Sequence, residues 1–254
     1  MSIGDEHDIE ALRRIGAIVA SALEHMRREA RPGMTTRELD LLGEAFLMRH
    51  GARSAPKLTY NFPGTTCISV NHEVAHGIPG ERVLREGDLV NIDVSAEKDG
   101  YFGDTGASFV LCASRPNLER LLQATREARD AGIAAARHGA RLSDIGKAVE
   151  KVARKHGYVV IRNLGSHGVG RALHEEPKHI PNHFDPSERR ILSKGMVITI
   201  EPFLTTGPDT AKDAGDGWTL QLPRSHRGAQ FEHTIVITED APLVMTQVDE
   251  ALLA

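Results

Sequence analysis

A chain of 254 residues, 40% apolar and 26% charged, is long enough to bury a sizeable core as one large domain or two small ones, and its composition is that of an ordinary globular protein. Its net charge of −4, with no compensating basic run, argues against nucleic acid as a partner, and no uncharged apolar run approaches the ~20 residues of a membrane span. The acidic start MSIGDEHDIE is unlike a secretory leader, and two cysteines, Cys67 and Cys112, are too few for a disulfide framework, so a reducing cytoplasm is the expected compartment.

Ile9, Leu12, Ile15, Ile18, Val19, Ala22 and Leu23 recur at helical spacing, which predicts a helix from about 8 to 30, stopped by Pro32-Gly33. Thr36 sits just before a second helix through Leu39, Leu42, Ala45 and Phe46, which stops at Gly51. Strand-like runs follow, broken by Pro56, Pro63, Pro79 and Gly80. The stretch NIDVSAEKDGYFGDT, residues 91 to 105, reads as a hairpin turning at Lys98-Asp99-Gly100. Ile92 and Val94 share one face, so Asn91, Asp93 and Ser95 share the other. Asp93 and Asp104 are expected within about one position of facing each other. Two carboxylates that close repel, and a cation between them removes the cost.

The order then recurs. A helix is predicted from about 116 to 136, Gly139 interrupts it, Ser143 caps a shorter helix, and His156-Gly157 closes that one. Gly33 and Gly139, like Gly51 and Gly157, stand 106 residues apart. We read an internal duplication: two similar α+β halves, approximately 1–112 and 113–254, in one domain because no Ser/Gly/Pro-rich linker divides them. Further strands are expected around 159–163, 196–200 and 230–238. The polar, Gly-rich stretch from 205 to 227 reads as a loop with one hairpin, and its tryptophan, Trp218, is a contact candidate.

Three more stretches place acid or histidine where packing alone would not. SHGVGRALHEEP, residues 166 to 177, sets His167 and His174 around two glycines. MVITIEPF, residues 196 to 203, ends an apolar strand on Glu201, and AQFEHTIVI, residues 229 to 237, puts Glu232 inside another. A lone glutamate in an apolar strand is costly unless paired or bound to metal. Two Asp, two Glu and one His suit Mn, Fe(II), Co or Zn, and bridging carboxylates suit a pair of ions that promote hydrolysis.

Together with NHEVAHGIPG, residues 71 to 80, these motifs resemble those of the type I methionine aminopeptidases, from the first helices to Ile237. The resemblance implies an α+β pita-bread fold, with two pseudo-twofold halves, antiparallel sheet inside and helices outside. It implies a cytoplasmic, monomeric metalloaminopeptidase that removes initiator methionine from nascent proteins when the second residue is small. Two divalent metal ions are implied: Asp93 would chelate one, His167 would ligate the other, and Asp104 and Glu232 would bridge them. Glu201 would be a ligand that also takes the proton of the attacking water. His76 and His174 would contact the scissile amide. Tyr60, Phe62, Cys67, His76, His174 and Trp218 would line the methionine pocket, whose apolar and sulfur-bearing walls suit a thioether. Ala75, Leu173 and Phe62 depart from residues common in relatives, which touches pocket detail and not the ligands. Ribosome association is left open. The rival readings are a proline-specific peptidase of the same fold and a non-catalytic binding module. Retention of all five ligand positions and both histidines weighs against the second.

Overall fold

Each long helix forms where an apolar stripe of 3.6-residue period meets a residue able to cap its free N–H groups. In the computed structural model, residues 1–113 and 115–253 are described; Ser114 and Ala254, both within the expected second half, lie outside them. Helix α1 (Glu6–Glu29) starts at Asp5, whose carboxylate accepts the Asp8 N–H, and buries Leu12, Ile15, Val19, Ala22 and Met26. Helix α2 (Thr36–Arg49) is capped by Thr35, one residue before the position the sequence suggested. Thr35 accepts the Glu38 N–H, and Glu38 accepts the Thr35 N–H.

Helix α3 (Ala55–Tyr60) was not expected, because Pro56 reads as a strand breaker. Pro56 lies in the first turn, where its missing N–H has no partner to lose, and Ser54 accepts the Lys57 N–H. Helices α4 (Pro116–Ala135) and α5 (Leu142–Lys155) follow. Ser143 lies inside α5 and does not cap it; Asp144 instead accepts the Arg141 N–H, as Glu38 does for Thr35.

That parallel extends through the backbone. Gly33 donates to the Leu84 carbonyl and Gly139 to that of Leu192; Thr36 donates to Arg82 and Leu142 to Arg190. Donors 106 residues apart, Gly33 and Gly139, Thr36 and Leu142, thus dock each helix pair onto a later segment by like backbone bonds.

All strand pairing is antiparallel among the described residues. Leu89–Lys98 and Tyr101–Val110 form a long hairpin whose two turn residues, Asp99 and Gly100, have φ of 52° and 80°, the left-handed pair a two-residue turn needs. That turn sets the register: Asp93 faces Gly106, and Asp104 faces Ser95. The two aspartates are therefore diagonal, two positions apart, not within one position as expected.

α1 lies across this hairpin, where Gly103 is so close to the α1 backbone at Gly16 that an added Cβ would stand 3.3 Å from it. A second sheet runs Leu243–Val244, His233–Val236, Val197–Ile200, Gly165–Gly168 and Glu175–Pro181. The expected strand over 159–163 is shortened to Val159–Val160, and the 205–227 loop holds the small strands Lys212–Asp213 and Leu220–Gln221.

The two sheets meet at a seam. Glu232 donates its N–H to the Gly106 carbonyl at 2.9 Å, Ala107 bridges Phe231, and the Thr234 hydroxyl donates to the Asp104 carbonyl at 2.8 Å. Glu232 is not in mid-strand as expected. It stands between Gly228–Gln230 and His233–Val236, where the chain changes pairing partner from 203–205 to 197–200. The seam brings Asp104 and Glu232 together.

Candidate metal centre and substrate cavity

The seam forms one side of a cavity of about 330 Å³. Asp93, Asp104, His167 and Glu201 make its polar wall; Tyr60, Phe62, Cys67, His76, His174 and Trp218 line the remainder with Leu164, Leu173 and Phe203. Every residue assigned a ligand, catalytic or pocket role from the sequence thus lines this cavity except Glu232, which is buried at 1% exposure and joins the polar group from the seam.

The polar group is compact. Asp104, His167 and Glu232 each offer a ligand atom, all within 4.8 Å of one another. His167 Nε2 lies 3.7 Å from Asp104 Oδ2 and 3.3 Å from Glu201 Oε1. Its other nitrogen, Nδ1, stands 2.9 Å from the Gly168 carbonyl, an acceptor only. Nδ1 must therefore carry the proton, which leaves the Nε2 lone pair aimed at the carboxylates, the tautomer a ligating histidine needs. Glu201 is oriented by Thr199, whose hydroxyl accepts the His167 N–H at 3.1 Å and donates to Glu201 Oε1 at 2.8 Å. Ser166 accepts the Glu201 N–H and Asn182 donates to its carbonyl, so the turn after the strand is held on both sides.

Electrostatics show what this arrangement lacks. Burial, followed by repulsion from its neighbours, pushes Asp104, Glu201 and Glu232 well above the usual carboxylate range; burial also raises Asp93. His167 is no counter-charge, since burial and then His174 push it down to about 3 and keep it neutral. Asp104 Oδ1 and Glu232 Oε1 are buried without a hydrogen-bond partner among the described residues. Four crowded carboxylates, a neutral imidazole with its lone pair turned inward and two unpartnered oxygens fit divalent cations of the Mn, Fe, Co or Zn type.

The opposite wall is built from short segments. His76 has φ of 55°, a left-handed conformation uncommon outside glycine, and Gly77 behind it is packed so closely on the Ile68 backbone that no Cβ fits. The strand before it, Glu73–Ala75, pairs with Leu220–Gln221, which ties the Trp218 hairpin to His76. Asp216 accepts the N–H groups of Trp218 and Thr219, and the indole meets Phe62 edge-on at 5.1 Å. His174 stacks against His167 with centroids 3.9 Å apart, and its Nδ1 is 2.8 Å from the Tyr60 hydroxyl supplied by α3. Burial and His76 push His174 down to about 4. Cys67 is held as a thiol, since burial and then Asp93 raise it, and it serves as wall.

His233, next to Glu232 in the chain, turns away from the group, its Nδ1 2.8 Å from the Thr246 hydroxyl. Sequence reasoning missed Thr199 and Gln230. Each lies two residues before a site glutamate, Glu201 or Glu232, so the alternation of side chains along a strand could have pointed to both.

The pattern of metallopeptidase family M24 matches residues 10–239. Among curated relatives, methionine aminopeptidase 2 of Bacillus subtilis is 49% identical over 249 residues, covering 98% of this chain and 100% of that one. Among solved structures, methionine aminopeptidase of Rickettsia prowazekii superposes with a TM-score of 0.92 at 38% identity, covering 97% of this chain and 100% of that one. Prolidase of Pyrococcus furiosus shares the fold at 24% identity and a TM-score of 0.78, but only 66% of its length is covered. The pita-bread fold is therefore established, and the chain belongs to metallopeptidase family M24, among its methionine aminopeptidases.

Proposed function

We propose that this protein is a metalloaminopeptidase that removes the initiator methionine from the N-termini of nascent polypeptides, preferentially before a small second residue. The observation that carries the reading is the union of two features: the crowded carboxylate–imidazole group, and an apolar cavity with aromatic walls directly against it. Asp93 would help hold one of two divalent ions and His167 the other, with Asp104, Glu232 and Glu201 completing the ligand set for the pair. Such a pair would supply Lewis acidity and a water of lowered pKa.

The chain's own groups do the remainder. Phe62, Cys67 and Trp218 receive the methionine side chain and exclude water. His76 and His174 donate to the scissile amide. Glu201, its Oε1 held by Thr199, accepts the proton of the attacking water. We read residues 1–254 as one catalytic domain of two halves. Among the described residues no helix is long and apolar enough to cross a membrane. A cytoplasmic monomer completes the proposal, with ribosome association left open.

The test is hydrolysis of Met-Ala and Xaa-Pro peptides by the full chain, first stripped by chelation and then reloaded with Mn(II), Fe(II), Co(II) or Zn(II). Metal-dependent release of methionine from Met-Ala peptides, with Xaa-Pro peptides left intact, is the expected result. Full activity in metal-free protein, or preference for Xaa-Pro, overturns the reading.

A further inference from the structure

Glu232 is buried at 1% exposure, and its two oxygens have different surroundings: Oε2 receives the Gln230 Nε2 amide at 3.0 Å, and Oε1 has no partner among the described residues. Which oxygen is left over depends on which way the Gln230 amide points. A glutamine side chain presents a carbonyl at one position and an NH₂ group at the other, and only the NH₂ end holds a carboxylate.

The direction is dictated step by step. The Gln230 backbone N–H donates to Ser108 Oγ at 3.0 Å, and Ser108 Oγ lies 3.1 Å from the Gln230 carbonyl, which only accepts. The serine proton is thus committed, and its remaining lone pair must meet a donor. That donor is Asn91 Nδ2 at 3.1 Å, so the NH₂ end of Asn91 faces inward. The same nitrogen reaches Gln230 Oε1 at 2.8 Å. Gln230 therefore turns its carbonyl to Asn91 and its NH₂ to Glu232. The space for this amide exists because residue 106 is glycine; a Cβ there would collide with the Gln230 carboxamide. Ser108, Asn91 and Gln230 are at most 6% exposed, so water does not compete for these bonds.

We propose that Asn91 and Gln230 form an amide relay that positions Glu232 in the metal centre, fixing the orientation of its carboxylate through the bond to Oε2. Both are positioning residues that touch no reacting atom. The relay rests on the reading of Glu232 as a metal ligand.

Partners that orient a metal ligand commonly contribute 10–100-fold to affinity. The readout is calorimetric titration of the metal-free full chain with Mn(II). Gln230→Met keeps approximate volume and removes the donor, and it should weaken binding by about 10–100-fold. Gln230→Glu keeps the shape, so it serves if the methionine variant does not fold. Its carboxylate repels Glu232 and should also weaken binding, whereas added negative charge alone would tighten it.

Asn91→Leu should weaken binding in the same direction, and the double variant Asn91→Leu/Gln230→Met should be no weaker than Gln230→Met, because the two residues act in series. Unchanged or tighter binding in a folded Gln230 variant, or independent additive losses, overturns the relay. A parent protein that binds no Mn(II) overturns the metal reading itself, so the two failures are distinct.

Discussion

Removing one carboxylate should stabilise the metal-free protein and destabilise the metal-loaded one. Asp93 in the metal-free fold has its pKa raised from 3.8 to about 7, chiefly by burial. A group whose folded pKa lies above its unfolded value contributes stability that is fully present below the unfolded value and lost as pH rises through the folded one. At 1.36 kcal/mol per unit, the rise corresponds to about 4 kcal/mol at pH 8, and competition with Asp104 for the proton makes this the upper end.

Asp93→Asn keeps the shape and cannot ionise. For a chain of this size about 4 kcal/mol is about 8–16 °C in Tm. Thermal unfolding of parent and variant without metal should therefore diverge between pH 5 and pH 8, with the variant higher at pH 8. With Mn(II) at 1,000 times its Kd the order should reverse, because the parent gains about 4.1 kcal/mol for each of the two ions, together more than the gap of about 4 kcal/mol, and the variant lacks one of the proposed ligands. A metal-free variant no more stable than the parent at pH 8, or a gap that does not widen with pH, refutes the reasoning.

Glu201→Gln keeps an oxygen for the Thr199 hydroxyl but loses the base, so kcat at saturating metal should fall by about 10²–10⁴, without rescue at higher pH; a variant matching the parent rate leaves the base to another group. Tyr60→Phe removes a hydrogen bond worth about 1 kcal/mol from His174 Nδ1 and should lower kcat about fivefold, against about 10²–10³ for His174→Ala, with metal content unchanged in both. Metal lost in step with activity would make His174 a ligand. Trp218→Ala removes the edge-on partner of Phe62 and should narrow the kcat/KM preference for Met over Leu about tenfold without loss of metal; an unchanged preference places the pocket elsewhere.

Whatever depends on near neighbours in the chain could be read from the residues alone. Helices α1, α2, α4 and α5 were legible because their apolar stripes and stop signals are local, and all but one of the residues assigned a ligand, catalytic or pocket role line a single cavity. Gly33 and Gly139, 106 residues apart in the sequence, make like backbone bonds to Leu84 and Leu192. Motif resemblance, more than periodicity, selected Asp93, Asp104, His167, Glu201 and Glu232 from the other acids and histidines.

How those residues meet depends on contacts between distant segments. The diagonal offset of Asp93 and Asp104 follows from a two-residue turn, and one more residue in that turn would have changed it. Pro56 reads as a breaker, yet it starts α3 and so delivers Tyr60 to His174. Glu232 reads as mid-strand, yet it occupies a seam where one strand changes partners beside Asp104. Thr199 and Gln230 carry no motif of their own; their roles follow from which neighbour has already used each donor and acceptor. Hydrogen-bond direction and strand register depend on segments far apart in the chain, and local preference carries no information about them until the core has packed.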